Sequence, residues 1–488
     1  MTRTRIALVA AFAALAAAGC GGGGAGTAVS SGAAGVVPKN AAAYVTIDTD
    51  VDSAGWNKAE ALLDRFPDKN DLLRELRKSF EDEGLSWERD VKPALGDEVD
   101  FAWIDFENGG NRFVGVTKPK DVGKFNSMLE TGSDPAVHEQ IDGWTVFAEH
   151  QEEIDRFKQA REDEGSLDDD SVFSDATDDL PDDAIATAFV RGSNLQSRLD
   201  RAIANGGGPP GTTADQFGQL DAIGAAVTPE SDGIRLDAAF NGDLDLGGGD
   251  YRAELPDAVP AGAIVYLSFR NVGARLHDLI EAYGRLQPNF DQQRSQIETA
   301  LGMRLDDVLD LLRGEGAFAL YPTPNGAPIL LFAVRVDDES KARRLIDKSA
   351  ALTQLGGSGE VRHIQIGSIS VTEFVVSGTT VYAAVSEGKL IVASARAALE
   401  EMASDAKKLS DDSVYAAALE GASVPDETGG FLYLNLRTGL NWGFSYAEDQ
   451  GSAIPDVWRN NLAPLRGLLL YSVKEGDSFK LAGFLGIQ

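Results

Sequence analysis

Val37-Pro38-Lys39-Asn40-Ala41-Ala42-Ala43-Tyr44-Val45 returns as Val259-Pro260-Ala261-Gly262-Ala263-Ile264-Val265-Tyr266-Leu267, with valine, proline, alanine and tyrosine in register at an offset of 222. Outward from this stretch, Lys124 corresponds to Lys341 at an offset of 217, residues 143–148 to 388–393 at 245, and 169–173 to 411–415 at 242. Gly224 and Gly233 match Gly467 and Gly476 at 243. Matches that keep their order while the offset drifts are what a duplication with loop changes leaves behind. We therefore expect two copies of one module, residues 36–245 and 255–488, joined by a linker at 246–254. The jump in offset gives the second copy additional chain between Lys341 and Gly388, in which 361–366 and 368–376 alternate as strands do.

Within the second copy, 264–269 reads as a strand, followed by Leu276, Leu279, Ile280 and Tyr283 at helical spacing. A short helix is expected around 308–312, ending at Gly314. The apolar runs 317–320 and 329–336 flank a Pro/Asn/Gly segment that forbids helix and fits a hairpin loop. Asp337 or Asp338 then caps a helix through Ser349. Runs 380–385 and 389–393 form a second hairpin, and 396–402 a helix. Strands joined by both hairpins and helices predict an α+β fold of two tandem similar modules, each a mainly antiparallel sheet with packed helices, covered on one side.

The N-terminus carries an address. Arg3 and Arg5 precede an apolar run from 6 to 18, too short to span a bilayer, and the small residues 17–19 lead into Cys20. Residues 1–20 read as a lipoprotein signal peptide. Cys20 is the single cysteine of the chain, so it has no disulfide to make, and we expect its sulfur to carry lipid. Residues 21–35, rich in Gly, Ser and Ala, would be a flexible tether. The expected location is the outer face of the cell membrane. With 44 basic and 77 acidic residues the net charge is −33, which repels nucleic acid and favours cations or basic partners.

The repeated Val-Pro-x-x-Ala-x-x-Tyr start, Gly314-Glu315-Gly316 before a strand, and the strand 388–394 leading into a helix together resemble the DUF3352 family. That resemblance implies an exported, often lipid-anchored protein and covers nearly all of the chain after the leader. It brings no catalytic residues with it. The first copy departs from it, carrying Gly96-Asp97-Glu98 where the second has Gly-Glu-Gly.

Candidate chemistry is sparse. Asp48, Asp50 and Asp52 alternate like the start of a calcium loop, but the sixth position is Ser53 and the twelfth Ala59, so a solvated strand end leading to a helix N-cap is the better account. The acidic tract 149–183 reads as a mobile solvated loop that could draw Ca²⁺ or Mg²⁺ weakly. Ser386 and Lys389 share the Ser-x-x-Lys spacing of penicillin-recognising enzymes, yet Gly388 places them in a hairpin turn. His138, His150, His277 and His363 have no zinc spacing. Gly206–208 and Gly247–249 lack the strand and helix that a phosphate loop needs. Among six tryptophans, Trp103 and Trp144 fall in predicted strands, and Trp442 is expected between elements, exposed.

The sequence thus points to a non-catalytic binding or scaffolding module of the envelope, with no cofactor and with an envelope protein or polymer as partner. Two other roles remain open: an envelope hydrolase using paired carboxylates, or ligand capture in a pocket between the modules.

Overall fold

The computed structural model describes residues 32–488 apart from 107–109, 111, 132–134, 205–217, 244–248, 285–286, 288, 325, 358 and 477. Residues 1–31, which include Cys20 and the stretch expected to be a signal peptide, and the glycine runs 206–208 and 247–248 lie outside the described residues.

Eight strands precede residue 250: β1 (Ala43–Asp48), β2 (Glu98–Trp103), β3 (Val114–Thr117), β4 (Val137–Ile141), β5 (Trp144–Ala148), β6 (Ala186–Arg191), β7 (Ala222–Pro229) and β8 (Gly233–Asn241). Ten follow it: β9 (Val265–Arg270), β10 (Glu315–Tyr321), β11 (Ile329–Arg335), β12 (Gly359–Ile366), β13 (Ile369–Val376), β14 (Thr379–Ser386), β15 (Lys389–Ala393), β16 (Gly430–Leu434), β17 (Leu465–Glu475) and β18 (Ser478–Ile487). All join in one antiparallel sheet, in the order β4-β5-β3-β2-β1-β6-β7-β8-β18-β17-β16-β9-β10-β11-β15-β14-β13-β12. Read outward from the β8–β18 pair, the two halves repeat the same pairings until β12 and β13 extend the second.

Local chemistry sets these elements. The hairpins β4–β5 and β14–β15 turn through Asp142-Gly143 and Glu387-Gly388, each with positive φ at both residues (50° and 84°, 50° and 71°), the backbone that a two-residue loop between twisted strands requires. Asp121 accepts the N–H of Lys124 to cap the helix Val122–Glu130, and Asp338 accepts that of Lys341 to cap Glu339–Leu355. Asp170 and Asp412 cap the helices Ser171–Thr177 and Ser413–Gly421 in the same way.

Both faces of the first half are covered, where one was expected. On one side Tyr44, Ala102 and Phe189 pack beneath Ile154, Phe157, Leu167 and Phe173. On the other, Val99, Phe101 and Phe147 meet Trp56, Phe80, Trp87 and Phe125. The acidic tract is therefore a folded layer and not a loop: it forms the helix Gln151–Glu164, a 3-10 turn at Leu167–Asp169 and the helix Ser171–Thr177. Ile154 and Phe157 put one apolar stripe inward while most of the acids face water; Glu153 and Asp170 are buried, the first accepting the His150 N–H and the second paired with Arg191.

In the second half, Tyr266, Tyr433, Leu469 and Phe484 pack under the helices Arg396–Met402 and Ser413–Gly421. The opposite face is covered only toward β14 and β15, where Ala342 and Ile346 of the helix Glu339–Leu355 reach Val334 and Leu390. Between there and β8 it stays open. Register puts Leu236, Gly483, Leu470, Leu432, Leu267, Phe318 and Phe332 in one cross-strand row, and Ile234, Leu485, Leu468, Leu434, Val265, Leu320 and Leu330 in the next. Apart from Gly483, every one of these side chains is half-buried or exposed.

Two segments differ from the sequence reading. Gly32–Gly35, assigned to the tether, forms a 3-10 turn with Ala33 and Ala34 fully buried. Tyr251, assigned to the linker, is buried, exchanges backbone hydrogen bonds with Thr428 and bonds Ser268 through its hydroxyl at 2.7 Å. Both segments lead into a β-strand, and their small or aromatic side chains fill the core beside it.

Replacing the fully buried Phe157 with alanine should cost about 3–5 kcal/mol, as large cavities in packed cores do. Urea unfolding followed by circular dichroism measures it. A cost below about 0.5 kcal/mol would mean that the acidic helix does not pack as described.

Candidate functional site

β1 and β2 place Asp48 directly opposite Glu98, and Thr46 opposite Asp100, all on the face that holds Tyr44. Like charges facing each other across a strand pair repel, and burial strips their hydration. Burial is the main cause that lifts Asp48 to about 6, against hydrogen bonds from the Ser53 hydroxyl and the Asp50 N–H that pull the other way. Burial likewise pushes Glu98 and Asp100 up, and for Glu98 the neighbouring Asp100 carboxylate adds to it. Tyr44 donates its hydroxyl to Asp100 Oδ1 at 2.7 Å, while Asp100 Oδ2 and Thr46 Oγ1 are buried without a partner.

The offset that aligns Lys124 with Lys341 also sets Glu98 on Glu315. Glu315 faces Arg270 across β9 and β10, so where the first half sets a second carboxylate opposite its glutamate the second half sets an arginine. Glu315 accepts the N–H groups of Glu254 and Leu255 at 2.8–3.0 Å, and Glu98 accepts that of Ala33. Each glutamate thus ties down the turn that precedes the first strand of its half. Burial holds Glu315 at about 7. The position of Asp100 is taken by Ala317, so the acidic pair belongs to the first half alone.

The three alternating aspartates do not converge. Asp48 is engaged by Ser53, which itself caps the helix Ala54–Leu63, and Asp50 faces Lys120 at 3.8 Å. Among the described residues, no group of three or more His, Cys, Asp or Glu side chains is placed to hold a metal ion. The histidines are dispersed: His138 and His363 on β4 and β12, His150 at a helix start, His277 beside Asp278. Lys389 bonds Glu387 within its turn. Trp442 is half-buried in the helix Leu436–Asp449 and donates to Thr323, because its helix continues through the Gly-Leu-Asn-Trp-Gly stretch that reads as a break. Trp458, at 62% exposure, is the more open ring.

A cavity of about 630 Å³ lies where the two halves meet, the place the ligand-capture reading named, although none of the residues lining it was singled out from the sequence. Arg65 and Asp232 line it from the first half; Arg437, Arg466, Ser413, Val414 and Phe484 line it from the second. Arg65 donates to the carbonyls of Ile487 and Ser231, which hold the guanidinium without neutralising it. Nε and Nη1 of Arg466 are shielded from water and meet no hydrogen-bond partner. Burial first, then the neighbouring Arg437, presses the Arg466 pKa down, as befits a cation lacking an anion. Three arginines distant in sequence leave no motif; their only trace is that arginine and lysine are outnumbered in this chain.

Fold and site define a mixed α/β protein on one large antiparallel sheet, with a cationic cavity at its centre. The chain belongs to the DUF3352 family of proteins of unknown function, whose profile matches residues 124–468. No curated protein matches it. Among solved structures, crystal form IV of TP0453 aligns at 11% identity and a TM-score of 0.25 over 46% of this chain and 76% of that one. Crystal form III gives 11%, 0.24, 48% and 95%. Likeness of that size carries no argument.

Each raised carboxylate binds its proton more tightly folded than unfolded. The stability that belongs to the protonated form is complete below the ordinary carboxylate range and is lost as pH rises through about 6 for Asp48 and about 7 for Glu315. Asp100→Asn keeps the Tyr44 acceptor, gives Thr46 a donor and removes one buried charge. Its melting temperature should exceed the wild type's at pH 8 and match it near pH 4; equal differences at both would show that Asp100 is not held protonated.

Proposed function

We propose that this chain is a lipid-anchored, extracytoplasmic binding protein made from two copies of one α+β module, which captures a ligand where the copies meet. The mirrored strand order supports the duplication, as do the equivalent glutamates 98 and 315 and the paired helix caps at Asp170 and Asp412. The carrying observation is the arginine cavity: in a chain of net charge −33, Arg65, Arg437 and Arg466 share one space. Cations gathered against the overall charge, with donors left open, favour an anionic ligand.

Binding is favoured over hydrolysis by the placement of the carboxylates. Glu98 and Glu315 are buried against backbone donors, and the cavity holds a lone Asp232 rather than two facing acids.

Sulfate or inorganic phosphate at millimolar concentration, against chloride of equal ionic strength, should raise the melting temperature of the wild type and leave an Arg437→Gln, Arg466→Gln double variant unmoved. Equal shifts in both proteins would remove the cavity from the explanation.

For the anchor, mass spectrometry of the membrane-extracted protein should find an N-terminus at Cys20 carrying diacylglycerol. Retained Met1, or an unmodified thiol, would overturn the assigned location.

A further inference from the structure

The two halves can be compared at the place where the cavity opens. In the first, the helix Ser171–Thr177 lies directly against its strand: a Cβ on Gly224 would come within 1.8 Å of the Ala176 carbonyl oxygen. Gly467, which the repeat aligns with Gly224, has ordinary contacts only, and the nearest atom of the helix Ser413–Gly421 is Val414 Cγ1 at 3.6 Å. That helix rests on the sheet at its far end, where a Cβ on Gly421 would meet the Phe484 ring at 2.4 Å. Its first two turns stand off from β17 and β18, and the cavity of about 630 Å³ lies between. The charge differs as well. At offsets of 242–245, Arg466 falls on Asp221-Ala222-Ile223-Gly224 and Arg437 on Gly192-Ser193-Asn194-Leu195, with no basic residue in either stretch. Space and cations are both additions of the second half.

The walls carry two chemistries. Val414, Ala417 and Ala418, spaced i, i+3 and i+4, lay one helical stripe of hydrocarbon along the cavity, and Phe484 continues it from β18. Arg65, Arg437 and Arg466 bring positive charge from three other segments. Arg466 keeps Nε and Nη1 without a partner, and Arg65 is held by backbone carbonyls, which carry no net charge. A volume of about 630 Å³ falls within the roughly 300–1,000 Å³ of pockets for small organic molecules, which join apolar walls to a few placed polar groups. A bare inorganic anion would answer the arginines and leave the hydrocarbon stripe in water. A neutral hydrocarbon would do the reverse.

We infer that the cavity takes a small organic anion, its acidic head at Arg437 and Arg466 and its compact hydrocarbon body against Val414, Ala417, Ala418 and Phe484. This rests on the binding role proposed above and names the class of its ligand. Charge-assisted hydrogen bonds fix the head, and the apolar stripe selects among anions.

Titration calorimetry on the full chain tests it with two matched pairs, phenyl phosphate against inorganic phosphate and benzoate against formate, and with benzyl alcohol as a body without charge. In at least one pair the aryl anion should bind about tenfold or more tighter than its bare counterpart, the effect of covering a good part of one ring. Benzyl alcohol should give no binding heat at millimolar concentration. Arg466→Gln should weaken the aryl anion at least about tenfold. Ala417→Asn, at an exposed helix position, should cut the aryl advantage to about threefold or less and spare the bare anion. If aryl and bare anions bind alike, the inference fails while the anion-binding role stands. If no anion binds, both fail. If benzyl alcohol binds as tightly as the aryl anions and Arg466→Gln changes nothing, the cavity is a plain apolar pocket and the inference is overturned together with the anion-binding role.

Discussion

The fold depends on the pairing of β8 with β18. Residues 233–240 run antiparallel to 479–486, so the last strand of each half closes against the other and the sheet becomes continuous. Alone, each would be a long edge strand with unpaired N–H and C=O groups, open to association with other chains. Joined, they leave β4 and β12 as the edges. Both are defended by charge: Glu139 on β4 pairs with Lys158, and β12 presents Glu360, Arg362 and His363. The seam is also tied from the side. Arg235 of β8 donates to Gly421 and Ala422 at the end of the helix Ser413–Gly421, where a cation meets the negative end of the helix dipole. Asp68 and Asn461 add a reciprocal pair of hydrogen bonds between the halves.

The two halves share a strand order and fill it differently. In the first half, tryptophan and phenylalanine from three helices fill the face above Phe101, and the opposite face gathers three carboxylates around Tyr44. In the second, the glutamate that ties down the leading turn survives as Glu315 while the acid two residues on has become Ala317. The face equivalent to that of Phe101 has a smaller core, in which Leu311, Ala342 and Ile346 pack on Val334 and Leu390. Buried charge in one half and bare hydrocarbon in the other are both costs that packing alone would remove. The first is partly relieved by holding protons to a higher pH, and the second has no relief within the described residues.

Much of the architecture was legible because local chemistry set it. The hairpin turn at Glu387-Gly388, the strand 389–393, the helix Arg396–Met402 and the cap at Asp338 are each determined by residues within a few positions of one another. So were β12 and β13, which alternate cleanly. The acidic tract misled because its charge hides a stripe of only Ile154 and Phe157 with Leu167 and Phe173 beyond, and composition outweighs so thin a signal. The turn at Gly32–Gly35 was hidden for the opposite reason: glycine and alanine look like a tether, and only the partner surface makes Ala33 and Ala34 core.

The candidate site was illegible for a geometric reason. Arg65, Arg437 and Arg466 come from three separate segments, and no local pattern records that the start of β17 and the end of β18 lie beside the turn that follows the helix Ala54–Leu63. The open face was closer to being readable. The runs 265–267 of β9, 316–321 of β10, 431–434 of β16 and 467–471 of β17 are apolar at every position, the pattern of a strand buried on both sides. That pattern asks for two covering layers, and the described helices supply one in full and the other over β11, β14 and β15. Where those side chains stay half-buried, as Leu432, Leu468 and Leu470 do, the covering is thinner than the apolar pattern of their strands asks for.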